Sequence, residues 1–288
     1  MNSWVRLHRW RWWIRWPFKV IAFVVVVAFV LYPKIWLLPR TLDRLQNLDS
    51  TLEPGNPGLA DLEAEVRTAA GEGLDARKML PFVERVVYRH IPYAWDWDVW
   101  GVMDYLPTTA EVLEKGREDC DGRAVVAASL LRRMGYKAWL ASDLKHTWVV
   151  TPAGETMSPG KGRKSIAGGP KGTRFQIDWG MVANVGRSMT YGVAVFPLTR
   201  ELLILGALCG LTMHPRSGTR RRVAGCLVLL LALGLMRDSG AVGSGLAAHP
   251  AWLWVGLVLG VAGWLLLAIR GEGRRSSSGP SESCEAGA

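Results

Sequence analysis

The sequence predicts an α+β domain set between membrane-spanning helices. Three observations lead there. Long apolar runs are confined to the two ends, at 20–38 and beyond 191. The stretch between them, 40–190, is mixed in composition and long enough to bury one real core. Within that stretch, segments with helical periodicity give way after Gly135 to short runs with strand character.

The chain begins with Arg6, Arg9, Arg11, Arg15 and Lys19 interleaved with Trp4, Trp10, Trp12, Trp13 and Trp16. Tryptophan rings suit the headgroup level of a bilayer and guanidinium groups suit its phosphates. The apolar run Val20 to Tyr32 follows, continued by Ile35 to Leu38, with no small-residue cleavage site after it. Residues 1–39 therefore read as an uncleaved transmembrane anchor, cytoplasmic end first.

The formal net charge of +10 suggests nucleic acid until it is counted by segment. Residues 1–39 hold six cations and no acids, 40–190 hold 20 of each, and 191–288 hold nine against five. The excess sits at membrane flanks, so no basic face is left for a nucleic-acid partner.

Inside the central domain, Leu59, Leu62, Val66 and Ala69 mark one helix after Asn56-Pro57, and Met79, Phe82, Val83, Val86 and Val87 mark another. Tyr93 to Tyr105 is dense in aromatics and reads as a loop covering the core, ahead of a wall for stacking substrate. Asp96 and Asp98 lack the spacing of a Ca²⁺ loop. The next helix begins at Cys120: Ala124, Ala127, Ala128 and Leu131 extend one apolar stripe from it, Asp119 is placed to cap the N-terminus, and Gly135 lies past the C-terminus. A thiol at a helix start is biased toward thiolate, although Asp119 and Asp121 oppose this.

Tyr136 to Ala141 then reads as a strand, Ser142 to Lys145 as a turn, and His146 to Thr151 as a second strand with His146, Trp148 and Val150 on one face. A helix carrying Cys120 and a strand carrying His146 can bring thiol and imidazole together, as a thiol nucleophile requires. A hairpin at Pro152 to Gly154 sets His146 opposite 158–160, where a carboxylate would orient the imidazole; the residue there is Ser158. Pro159 to Arg174 is rich in Gly and Lys and reads as a solvated loop without phosphate-loop order, or as a flap in which Lys161, Arg163 and Lys164 attract an acidic substrate. Phe175 to Trp179 reads as a last strand, and Asp178 on it is a second candidate for the orienting acid.

The segments EDCDGRA, HTWV and MSP, together with IPYAWDWDVWGVMDYLPTTAEVLEKGRE upstream, resemble the transglutaminase-like superfamily of papain-like fold, in particular its bacterial membrane-anchored cysteine peptidases. The likeness spans 76–159. It implies an α+β core in which the cysteine-bearing helix packs on an antiparallel sheet, with Cys120 as nucleophile and His146 as base. Ser158 takes the position of the acid, and Glu118 replaces the usual glycine before Asp-Cys.

Beyond 191 the chain offers three further hydrophobic membrane segments, through 270, and a polar tail at 271–288, giving about four transmembrane helices in all. Arg200 and Glu201 are expected near the outer interface, paired with each other. With the N-terminus inside, Arg216, Arg220, Arg221 and Arg222 fall inside, as do Arg274 and Arg275, so the central domain is extracytoplasmic in a bacterial inner or plasma membrane. Cys120 has no other cysteine in its domain to pair with, and no Cys/His cluster has metal-ligand spacing. The function expected is a membrane-anchored thiol hydrolase or acyltransferase acting on peptide or protein amides, with no cofactor and no metal. The alternative is a non-catalytic peptide-binding domain that has lost its acid.

Overall fold

Twenty apolar-rich residues without an acid form the first helix, α1 (Trp12–Leu31), in the computed structural model, which describes residues 11–71, 73–143, 146–160, 164–170, 172–176, 191–240 and 250–269. Many of its apolar side chains face outward, Ile21 being 63% and Phe29 59% exposed. Helix α2 (Leu37–Gln46) leads into the domain, where Arg44 binds the Tyr105 hydroxyl at 2.8 Å and Glu111 at 2.7 Å. Then come α3 (Ala60–Ala70), α4 (Ala76–His90), the single turn α5 (Asp96–Val99), α6 (Thr109–Lys115) and α7 (Cys120–Arg133).

The helix of the cysteine is the centre of the core. An apolar stripe was expected on one face, yet Ala124 to Ala128, Leu130 and Leu131 are buried all the way round. Helices α3, α4 and α6 cover one side of α7, while strands β1 (Trp139–Ser142) and β2 (Thr147–Thr151) cover the other. A helix enclosed on every side needs small residues where neighbours approach, and the alanines of α7 supply them.

The sheet is antiparallel and ordered β3-β2-β1-β4-β5, with β3 at Gly154–Thr156, β4 at Ile166–Ala167 and β5 at Arg174–Phe175. Two strands begin later than expected, each for a local reason. Tyr136 is held by the helix end, its amide donating to Leu131 O at 2.9 Å and its hydroxyl to Leu74 O at 2.8 Å, so β1 opens only at Trp139. The His146 amide donates to Asp143 Oδ1 at 2.9 Å and its carbonyl accepts from Asp143 N at 3.1 Å, so it closes the turn and β2 opens at Thr147.

The Gly/Lys-rich stretch is not loop throughout. Ile166, 8% exposed, pulls it onto β1, with Ser165 N donating to Ser142 O and Gly168 N to Leu140 O, both at 2.8 Å. A two-residue strand is too short for periodicity to reveal. Lys161, Arg163 and the expected strand beyond Gln176, including Asp178, lie outside the described residues. The aromatic stretch does cover a core: Trp100, Val102 and Tyr105 are buried against Leu37.

Of the four expected spans, two helices are long and apolar enough to cross a membrane, at Trp13–Leu31 and Ala251–Ala268 among the described residues. Helix α8 (Leu198–Thr212) has 15 residues, about 22 Å at 1.5 Å per residue, short of a bilayer core. Helix α9 (Thr219–Ser239) is long enough but carries arginines at both ends. It lies antiparallel against α10 (Pro250–Ala268) at glycine contacts: a Cβ on Gly225 would meet Leu267 at 2.8 Å, and one on Gly256 would meet Met236 at 2.6 Å. The expected Arg200–Glu201 pair is not formed. Glu201 instead binds Arg237 of α9 at 2.5 Å, and Arg200 donates to Gly101 O at 3.0 Å.

Candidate functional site

The N-terminus of α7 is built before the cysteine is reached. Gly116, at φ 65°, ends α6 in the left-handed region and turns the chain back. Glu118 then runs beside Tyr93, its amide donating to Pro92 O at 3.1 Å and its carbonyl accepting from Ala94 N at 3.2 Å. Asp119 caps α7 as expected, accepting from Asp121 N at 3.1 Å.

Glu118 fits beside the helix start only because Gly122 makes room for it. An ideal Cβ on Gly122 would lie 2.0 Å from Glu118 Cγ and 2.8 Å from its Cβ. The Glu118 side chain thus fills the space that any side chain at 122 would need, and its carboxylate, fully buried, accepts from the Trp100 indole and, at 2.7 Å, from Asp119 N.

The start of β2 approaches Cys120. The Cys120 thiol accepts from the backbone N–H of Thr147, the residue directly after His146. The imidazole lies near-parallel to the Trp148 ring at 6.4 Å between centroids, and its Nε2 is 2.7 Å from Met157 O. A carbonyl only accepts, so Nε2 carries the proton and the neutral ring keeps its basic lone pair on Nδ1. Among the described residues, no acceptor is bonded to the Cys120 amide at the helix start.

Ser158 does not reach the imidazole. Its hydroxyl donates to Glu155 Oε2 at 2.8 Å and accepts from Gly160 N at 3.2 Å. The acceptor on His146 is the carbonyl one residue earlier, a backbone group that a search for side-chain acids does not see. The other candidate acid, Asp178, lies outside the described residues.

The thiol is not the activated thiolate that a helix start alone suggests. Burial pushes its pKa well above the ordinary thiol value, and the charge of Asp119 pushes further; the Thr147 N–H works in the opposite direction but does not prevail. Around it stand Tyr88, Tyr93 and Tyr191, and the Arg123 guanidinium lies over the rings of Tyr88 and Tyr93 at 4.8 and 5.1 Å.

Behind the thiol is a group the sequence reading missed. Asp96, Glu118, Asp119 and Asp121 bring one carboxylate oxygen each to within 4.8 Å of one another, the only such set among the described residues. Burial, and then the charge of Asp119, raises Asp96 and Asp121 well above the usual carboxylate range and Glu118 to about 7. Asp96 Oδ1 is buried with no donor aimed at it. An all-oxygen set of this kind suits a hard cation in place of those protons, and not zinc. The signal was present in the four acids at 96, 118, 119 and 121, but their approach depends on the 93–118 contact, which has no periodicity to betray it.

No known protein family, characterised protein or solved structure matches this chain. The likeness to transglutaminase-like proteins therefore rests on the short motifs around Cys120 and His146.

Proposed function

We propose that this protein is a membrane-anchored thiol enzyme of transglutaminase-like, papain-like type that cleaves or transfers peptide or protein amides. The observation that carries the reading is that the backbone N–H of Thr147 reaches the thiol at the start of α7, while the residue before it, His146, has its Nε2–H occupied by Met157 O, which leaves basic Nδ1 for the thiol proton.

Because the resting thiol is protonated, His146 acts as a general base and not as half of a preformed ion pair. Nδ1 takes the S–H proton as sulfur attacks the amide carbon, and the Cys120 N–H holds the developing oxyanion. The C–N bond then breaks, the amine leaves with the proton from His146, and a thioester remains. Water or an acceptor amine, deprotonated by His146, attacks the thioester and frees the thiol.

The domain faces outside the cell in this reading. Helix α1 crosses from the cytoplasm with its basic flank inside. Helix α9 lies along α10 and crosses with it, so α8 crosses as well, extended by the turn at 191–195, and the domain stays external. A membrane-impermeant, biotinylated peptidyl vinyl sulfone added to intact cells is expected to label Cys120, and to label neither Cys120→Ala nor His146→Ala. Labelling only after detergent lysis would overturn the topology; none in either condition would overturn the enzyme.

One observation favours a non-catalytic peptide-binding domain instead: the carboxylate position is held by Ser158, whose hydroxyl is committed to Glu155. In that case the vinyl sulfone leaves Cys120 unmodified while unreactive peptide of the same sequence still binds.

A further inference from the structure

We propose that Glu84 is the positioning residue of the Cys120–His146 pair, holding from α4 the turn whose Met157 carbonyl fixes the imidazole. The inference rests on the Cys–His reading above and assigns a role that neither Ser158 nor Glu155, among the described residues, fills.

The chain of contacts is short. Glu84 Oε2 accepts from Thr156 Oγ1 at 2.6 Å and from Met157 N at 3.2 Å, and Met157 O in turn accepts from His146 Nε2 at 2.7 Å. Met157 has φ 59°, the only non-glycine residue in the left-handed region among the described residues. That conformation costs about 1–2 kcal/mol for a residue with a Cβ, so something must hold it. The side chain is one anchor, 6% exposed in the core cluster. The amide on Glu84 is the other. Without it the chain is free to continue β3 in extended form, which rotates the 157 carbonyl away from His146.

The second carboxylate of the hairpin is committed elsewhere. Glu155 binds Lys164 Nζ at 2.6 Å and the Ser158 hydroxyl. Glu84 therefore acts on His146 through the backbone of one residue, Met157. It fixes the tautomer, as a triad carboxylate does, but offsets little of the imidazolium charge, which agrees with a thiol that stays protonated at rest.

The test uses the full chain in detergent micelles with ¹⁵N-labelled histidine. There are five histidines, and His146 is assigned by its loss in His146→Ala. The wild type is expected to show the Nε2-protonated tautomer. Glu84→Ala is expected to move both ring nitrogens toward the tautomer average and to slow acylation of Cys120 by p-nitrophenyl acetate roughly tenfold, the scale of one lost charged hydrogen bond. Glu84→Gln keeps an acceptor oxygen and should restore both readouts, whereas Thr156→Val should give a partial change in the direction of Glu84→Ala.

An unchanged tautomer in Glu84→Ala overturns the proposal, as does Glu84→Gln behaving like Glu84→Ala. If Glu84→Ala does not fold, an unchanged tautomer in Thr156→Val overturns it. A wild type that never acylates, with a tautomer that still follows Glu84, removes the enzyme reading and leaves the positioning role standing.

Discussion

Gly122→Ala is expected to destabilise the domain by at least about 3 kcal/mol, because the new methyl group falls 2.0 Å from Glu118 Cγ. The clash is with atoms near the backbone of Glu118, which cannot swing aside as the tip of a long side chain can. Relief requires expelling a fully buried carboxyl group from the Trp100 indole and the Asp119 amide, so overpacking and two lost hydrogen bonds act together. The compensating change is specific. Glu118→Gly with Gly122→Ala removes the clash and moves the glycine to the position it holds in the proteins the motif resembles. The pair should couple by about 2 kcal/mol or more in a double-mutant cycle read by thermal or urea unfolding. Additive effects of the two substitutions would mean that Glu118 does not occupy the space in front of Gly122.

The second large effect is on pH dependence. Glu118 has a folded pKa of about 7 against an ordinary value of 4.5, raised by burial and by Asp119. Below pH 4.5 both states hold the proton. Between 4.5 and 7 only the folded state does, so folding gains as pH falls and stability declines as pH rises through this window. The full difference corresponds to about 3 kcal/mol, at 1.36 kcal/mol per unit, with Asp96 and Asp121 shifted in the same direction. Unfolding midpoints of the full chain in one detergent should therefore be higher at pH 5 than at pH 8, and Glu118→Gln should flatten the profile. A midpoint that rises between pH 5 and pH 8 in the wild type would show that the cluster is ionised when folded.

Much of this was legible in the chain because it depends on local chemistry. Asp119 as cap, Gly135 past the helix end, the two helices at Met79 and Leu62, and a helix that opens at Cys120 all follow from spacing over a few residues. What was hidden depends on contacts between distant segments or on the backbone itself. The acceptor on His146 is a carbonyl, which every residue carries, so nothing in the sequence marks Met157. Its partner Glu84 sits on a helix 73 positions earlier, looking like one more polar residue on an amphipathic face. The direction of the Cys120 shift was likewise hidden, since the helix start favours thiolate and only the fold shows how far burial, Asp119, Asp104 and Asp96 oppose it. The Arg200–Glu201 pairing was misjudged in a different way: Glu201 finds Arg237 on another helix, and an adjacent opposite charge in sequence was no guide to its partner.

The most direct measurement is the rate at which p-nitrophenyl acetate acylates Cys120 in the full chain at neutral pH, located by mass spectrometry because Cys209, Cys226 and Cys284 are also present. The site described here predicts a thioester at Cys120, with His146→Ala slowing its formation by roughly 10²–10⁴, the range of a lost general base. Equal acylation of wild type and His146→Ala would contradict it, leaving Cys120 a core thiol that His146 does not serve.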